Sequence, residues 1–339
     1  MPACPYSPVR PCQNSSPPYP DRLTPGPMDL SVIIVSYNTR QVTLECLASV
    51  YEQTKCIEFE VILVDNDSAD GSPQAVAEHF PQATLFALKE NLGFAAGNNF
   101  AAEHASGEYL LLLNPDTVVL DSALQNLLAF ARSRPQAGIV GGRTLYGDRS
   151  LNPMSCWARP TLWSQLCIAT GLSRIFKQSR LFDSETYGRW PRDTERQVDI
   201  VTGCLFLLSR SLWNELNGFD PIFFQRGEEA DMCLRARSLG YRPRITPTAT
   251  IIHYGGLSET VEAEKVIRNY KARTWIIERH WPRPLVPLGK ALHLAAAGHR
   301  NLAATVLAHL RRPNSPPSIW HEVWRDRKRW IEPRPIARL

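Results

Sequence analysis

The chain has 339 residues, 44% hydrophobic and 21% charged. That balance excludes a disordered or fibrous protein over most of the length and suits one large domain or two modest ones. The formal net charge is +5, and residues 311–339 alone hold eight Lys/Arg against three Asp/Glu, so the basicity belongs to the C-terminal segment.

Residues 1–27 hold nine prolines and no apolar period, which predicts a disordered leader and no signal peptide. At Asp29 the character changes. Leu30 to Ser36 is a β-branched run suited to a buried parallel strand, and residues 40–53 follow with helical spacing. Phe59 to Val64 predicts a second strand, residues 73–80 a helix and Ala83 to Leu88 a short strand. Residues 94–105 predict a helix, and Tyr109 to Leu113 another strand. This alternation predicts an α/β fold with a mostly parallel, Rossmann-like sheet flanked by helices. Residues 145–197 are irregular. Val198 to Ser209 reads as one strand, Glu228 to Leu239 as a helix and Ala249 to His253 as a strand. Residues 260–280 read as a helix, and 285–310 as one or two helices interrupted by Gly289 and Gly298. The basic segment follows, with Trp320, Trp324 and Trp330 interleaved.

Three predicted strands end in polar clusters: Ser36-Tyr37-Asn38, Asp65-Asn66-Asp67 and Asn114-Pro115-Asp116. Parallel strands place those ends on one edge, where ligands bind. Asp65 is the candidate in its cluster, against plain turn chemistry. Asp116 is a candidate ligand for Mg2+ or Mn2+, ions that take their other ligands from water and phosphate; helix capping is the alternative. Glu228, Glu229 and Asp231 open a helix. Acids there favour the helix dipole, or one serves as a general base. His253 precedes two glycines and reads as a metal or phosphate ligand, or as structural. No GxGxxG, P-loop or GxSxG motif is present, which leaves classical dinucleotide sites and hydrolase elbows unsupported. The eight cysteines form no CxxC pair, which speaks against a zinc ribbon or thioredoxin-like site, and their scatter fits a reducing compartment.

SVIIVSYN (31–38), ILVDNDSADGS (62–72), NLGFAAGNN (91–99), LLLNPDT (111–117), GFDPIFFQRGEEADMCLR (218–235) and HYGG (253–256) occur in that order. Together they resemble the family 2 inverting glycosyltransferases of GT-A fold, and among them the bacterial rhamnosyltransferase-like members. The resemblance covers Asp29 to His280 and implies a GT-A domain over 28–280, with residues 281–339 a C-terminal helical and basic segment. It implies that Ser36, Tyr37, Asn38, Asp65, Asn91, Asn98 and Asn114 hold the nucleotide sugar. Asp116 would bind the metal, with His253 assisting. Glu229 would be the base, standing where the family has Asp; Asp231 and Glu228 are the substitutes. The expected partners are a nucleotide-sugar donor and a glycan or lipid-linked acceptor; nucleic acid is not expected. A non-catalytic sugar-nucleotide-binding relative and a nucleotidyltransferase are the rival readings. The location expected is cytoplasmic. The tail either rests on the inner face of a membrane or is a solvated basic face. The aromatics of 157–163 and 219–226 are candidates for shaping an acceptor pocket.

Overall fold

The computed structural model describes residues 28–255, 262–309 and 318–332. The predicted leader and the last glycine of HYGG lie outside them.

The N-terminal half alternates as expected. It runs β1 (Leu30–Ser36), α1 (Arg40–Gln53), β2 (Phe59–Asp65), α2 (Ser72–His79), β3 (Thr84–Ala87), α3 (Gly93–Glu103) and β4 (Tyr109–Leu113). Next come β5 (Thr117–Val119), α4 (Ala123–Ser133), β6 (Ile139–Leu145), β7 (Leu151–Asn152) and β8 (Cys156–Trp157). The middle holds α5 (Leu162–Ala169), α6 (Leu172–Ile175), β9 (Arg196–Gln197), β10 (Ile200–Val201), β11 (Leu205–Ser209) and α7 (Arg210–Glu215). The chain continues with α8 (Glu228–Ser238), β12 (Arg244–His253), α9 (Glu262–His280), α10 (Val286–His309), α11 (Ile319–Arg325) and α12 (Arg327–Ile331).

The main sheet has the order β3-β2-β1-β4-β11-β6-β12-β5. Its first four strands are parallel; β11 is antiparallel to both neighbours, β6 and β12 are parallel, and β5 closes the edge antiparallel. All seven residues of β1 are buried, which is why the run carries no polar alternation. Successive strand residues feed opposite faces. Ile33, Val35, Leu110 and Leu112 join one core with α8 and α9, while Val32, Ile34, Leu111 and Leu113 join the other with α1 and α4.

Two expectations change. The Val198–Ser209 run is not one strand: β10 pairs with β8 in a separate small sheet, β11 enters the main sheet, and Thr202, Gly203 and Cys204 form the break. Gly289 and Gly298 do not interrupt α10. A Cβ at Gly289 would come within 2.6 Å of the Trp281 ring, and one at Gly298 within 3.2 Å of the Trp324 ring. These glycines admit indoles, so they mark close packing instead of helix ends.

The C-terminal tryptophans also face inward. Trp330 is fully buried with Ile267, Tyr270, Ala297 and Val323, and its Nε1 donates to the Val323 carbonyl at 2.9 Å. Trp320 and Trp324 are half-buried against the same cluster. Their indoles are therefore spent on packing α11 and α12 onto α9 and α10, not offered to a bilayer.

Candidate active site

The ends of β1, β4 and β12 meet α3 and α8 at a cleft of about 550 Å³. Of the predicted residues, Ser36, Tyr37, Asn91, Asn114, Asp116, Glu228, Glu229 and His253 line it together. Strand register explains the convergence. In the β12–β5 pair His253 stands opposite Thr117, which sets the imidazole beside Asp116. His253 Nε2 lies 3.2 Å from Asp116 Oδ1 and 3.3 Å from Asn114 Nδ2. The Tyr254 N–H donates to the Asp116 carbonyl at 3.0 Å and extends the ladder by one bond. Burial works against an imidazolium here, but the Cys204 sulfur and the Asp116 carboxylate outweigh it and raise His253 to about 11. The two side chains are direct neighbours, so a positive charge on the imidazole offsets a negative one on Asp116, which is only 6% exposed.

Among the described residues no group of three or more His, Cys, Asp or Glu side chains is arranged to hold a metal. Asp116 nevertheless fits an ion that keeps waters and takes diphosphate oxygens, because such ions need few protein ligands, and His253 would join it only as the neutral imidazole, the ion displacing its proton.

On the opposite wall, Gly227 adopts φ +97 and turns the chain into α8. That turn sends both Glu228 and Glu229 into the cleft. Glu228 is 4% exposed, and its Oε2 has no hydrogen-bond partner. Burial pushes its carboxyl well above the usual range, and the Glu229 charge adds to this, which favours the neutral form. Glu229 is raised by burial too, but backbone donors oppose the shift, among them the Gly227 N–H at 3.1 Å from Oε2. Both carboxyls are raised, Glu228 further than Glu229, so the neutral form is favoured more strongly at Glu228.

Asp231 is not in the cleft. It is fully buried one turn further on and bound by Arg235 at 2.7 Å, His280 at 2.8 Å and Arg279 at 3.0 Å. Burial would raise its carboxyl, but these cations outweigh burial and hold it below the ordinary value. It ties α8 to the end of α9, and the expectation that it stands in as a base is withdrawn: no substrate reaches it.

Three predicted donor contacts also lie off the cleft lining. Asp65 is 1% exposed, accepting from Ser36 Oγ at 3.1 Å and the Ser68 N–H at 2.8 Å. Asn38, at φ 50, accepts from the Ala69 N–H and fastens the β1 and β2 end loops to each other. Asn98 is 1% exposed and turns back on the Phe94 carbonyl. In their place the cleft has Asn66, whose Nδ2 donates to the Gly93 carbonyl and whose Oδ1 accepts from the Leu92 N–H. Asn66 thereby shapes the N-terminus of α3. Its position beside Asp65 was the only sequence signal. Thr202, Gly203 and Arg268 are further lining residues outside every quoted motif, and Arg226 lies inside one without having been given a role. Of the aromatic candidates, Phe224 lines the cleft, whereas Trp157 and Trp163 do not.

Gly93 joins the two walls. It has φ +80, and a Cβ there would come within 2.3 Å of the Phe224 carbonyl. The Phe94 N–H donates to that same carbonyl at 2.7 Å. Gly93→Ala is expected to cost roughly 2–3 kcal/mol through strain and overpacking. Denaturant titration should read this as a lowered midpoint at unchanged slope.

Compared with known proteins, the family model described as glycosyl transferase family 2 matches residues 31–211. The O-antigen biosynthesis protein RfbC of Myxococcus xanthus is 28% identical over 254 residues, which is 72% of this chain but only 18% of that protein. The N-acetylglucosaminyl-diphospho-decaprenol L-rhamnosyltransferase of Mycobacterium tuberculosis is 26% identical over 285 residues, 76% of this chain and 87% of that protein. Among solved structures, the mannosyltransferase PcManGT from Pyrobaculum calidifontis, in complex with GDP-Man and Mn2+, matches with a TM-score of 0.52. It is 20% identical and covers 92% of this chain and 88% of its own. At that identity the likeness speaks for the fold, which is GT-A.

Proposed function

The chain belongs to glycosyl transferase family 2, and on that premise we propose that it transfers a sugar, with inversion, from a nucleoside-diphosphate donor to a hydroxyl of a glycan or lipid-linked acceptor. Rhamnose is the proposed sugar, on the strength of the named rhamnosyltransferase among its relatives. The observation that carries the reading is the cleft itself: the Asp116–His253 pair stands on one wall, and on the other the carboxyls of Glu228, which is buried, and Glu229, which is partly exposed.

Glu229 is the proposed base. It accepts the proton of the acceptor hydroxyl as the oxygen attacks the anomeric carbon, opposite the departing diphosphate. Glu228 in its neutral form spares the site a second buried charge. Asn66 and Gly93 hold the start of α3 against the cleft, its first N–H groups donating to Asn66, Asn91 and the Phe224 carbonyl and so fixing that wall. Asp116 and His253 would hold Mg2+ or Mn2+, which when bound offsets the negative charge of the leaving diphosphate. A single displacement accounts for inversion.

A place at the inner face of a membrane is part of the proposal. No helix among the described residues is long and apolar enough to cross one. The support is different from the tryptophans: Leu288, Leu302 and Val306 are exposed on α10, and Ile175 and Phe176 are exposed beside Arg174 and Lys177 at α6. Apolar side chains among cations suit an anionic surface.

The first test is nucleoside diphosphate release from a panel of nucleotide sugars, with Mn2+, Mg2+ or EDTA. We expect release from one donor, dependent on metal, and at least a hundredfold loss in Asp116→Ala. Donor binding without release, even with acceptor sugars added, would favour the non-catalytic relative.

A further inference from the structure

A cavity of about 240 Å³ opens between the α5–α6 turn, α10 and the start of α11. It shares no lining residue with the cleft. Three of its described lining residues are basic, Arg174, His299 and Arg300, and none is acidic. Arg174 is exposed and has no hydrogen bond or ion pair among the described residues. Arg300 is half-buried and meets neutral groups: Nη1 donates to Tyr270 Oη at 2.6 Å, and the guanidinium lies 4.8 Å from the Trp320 ring centroid. Both contacts hold the fork without cancelling its charge. On α10 the helical repeat puts His299, Leu302 and Val306 on one face, beside the lining residues Arg300 and Leu307. Leu302 and Val306 are 62% and 54% exposed, and Ile175, next to Arg174, is 71% exposed. Exposed apolar side chains therefore border a cationic cavity.

We propose that this cavity takes the phosphate of an anionic phospholipid headgroup, with Arg174 and Arg300 on its oxygens and Ile175, Leu302 and Val306 in the bilayer surface around it. The inference rests on the membrane part of the proposed function and narrows it to one place and one ligand class; the transfer reaction plays no part in it. Charge chooses the occupant. Residues 1–27 carry Arg10 and Arg22 against Asp21 alone, and residues 310–317, which join α10 to α11, carry Arg311 and Arg312 and no acid. Neither segment brings net negative charge to the cavity. A second copy docked by the same face would set like charges together. A phospholipid supplies both parts that this surface matches: phosphate oxygens for guanidinium forks, and hydrocarbon for the apolar border.

The test is co-sedimentation of the full chain, at one ionic strength, with vesicles of phosphatidylcholine alone or with about one third phosphatidylglycerol. Arg174→Glu and Arg174→Lys are compared with Lys55→Glu, a charge reversal at an exposed lysine that lines none of the described cavities. Ile175→Ser reads the apolar border. Each variant is checked for an unchanged Tm. We expect the wild type to prefer the anionic vesicles by at least about tenfold, and about tenfold weaker binding in Arg174→Glu and in Ile175→Ser. Arg174→Lys and Lys55→Glu should stay within about threefold of wild type. No binding to anionic vesicles, equal binding to both vesicle types, or equal losses in Arg174→Glu and Lys55→Glu overturns the proposal. Glycerol phosphate, titrated calorimetrically, separates the sources of phosphate. Its Arg174-dependent binding by a chain that ignores vesicles assigns the cavity to a free phosphate compound and overturns the lipid. Donor release with Mn2+, measured without vesicles, reads the transferase proposal apart and should be unchanged in Arg174→Glu. Release without vesicle binding removes the lipid site alone. Arg174-dependent vesicle binding with neither donor binding nor release removes the transferase and leaves the lipid site.

Discussion

Glu229→Gln lowers kcat by a hundred- to ten-thousandfold with donor affinity close to wild type. The expectation follows from what the amide takes away. Gln keeps the size and polarity of the side chain but has no basic oxygen, and a positioned general base is worth about that factor. Glu228→Gln provides the contrast. Burial raises the Glu228 carboxyl and favours its neutral form, so a neutral amide resembles that form and should cost far less. Glu229→Asp keeps a base but withdraws it by about 1 Å, a displacement that costs on the order of a hundredfold. The pH profile carries the same signature. Glu229 must lose its proton before it can accept another, and burial raises its affinity for that proton. Activity therefore climbs with pH through a value above the ordinary glutamate pKa of about 4.3. Steady-state kcat and kcat/KM across pH, for the wild type and the three variants, check the assignment. Equal losses in Glu228→Gln and Glu229→Gln would sink it.

Asp231→Asn should destabilise the fold by about 3 kcal/mol, because removing one member of a buried ion cluster strands the others. The lower end of the range applies, since Arg279 stays 26% exposed. In its place Arg235, Arg279 and His280 would face a neutral amide. The sign with pH is fixed by the depressed carboxyl. Its stabilisation is fully present above the unfolded aspartate value of about 3.9 and is lost as pH falls through the folded value. The gap between wild type and variant should hold constant from neutral pH down to about 5 and close below it. Urea titrations at a series of pH values measure this. A gap that widens on acidification would contradict it.

The parallel half of the sheet was legible because β1, β2 and β4 are buried on both faces and so appear as unbroken apolar runs. The same property hid the break at Thr202-Gly203-Cys204. An apolar run has no period that marks where it changes sheets. Asp116, His253, Glu228 and Glu229 were legible from motif order, and register explains their meeting. Asp65, Asn98 and Asp231 carried the right chemistry in the right segments but point into the protein. A motif gives residue type and spacing; it does not give which way a side chain faces after a helix turns. Asn66 illustrates the converse: it lines the cleft but lies beside a stronger candidate in the sequence. The glycines of α10 were read as punctuation, although each accommodates an indole from another element.

The way α9 is held has a consequence for the order of assembly. One face of this helix presents Arg268 to the cleft, and the other buries Ile267 and Tyr270 under Trp330. Nascent chains fold from the N-terminus as they emerge, so the sheet that carries Asp116 and His253 can close early. The wall opposite has to wait. Its support comes from α11 and α12, the last described stretch of the chain, and the site is completed only once residue 331 has been synthesised. Until then a nascent chain would have the sheet and no finished cleft.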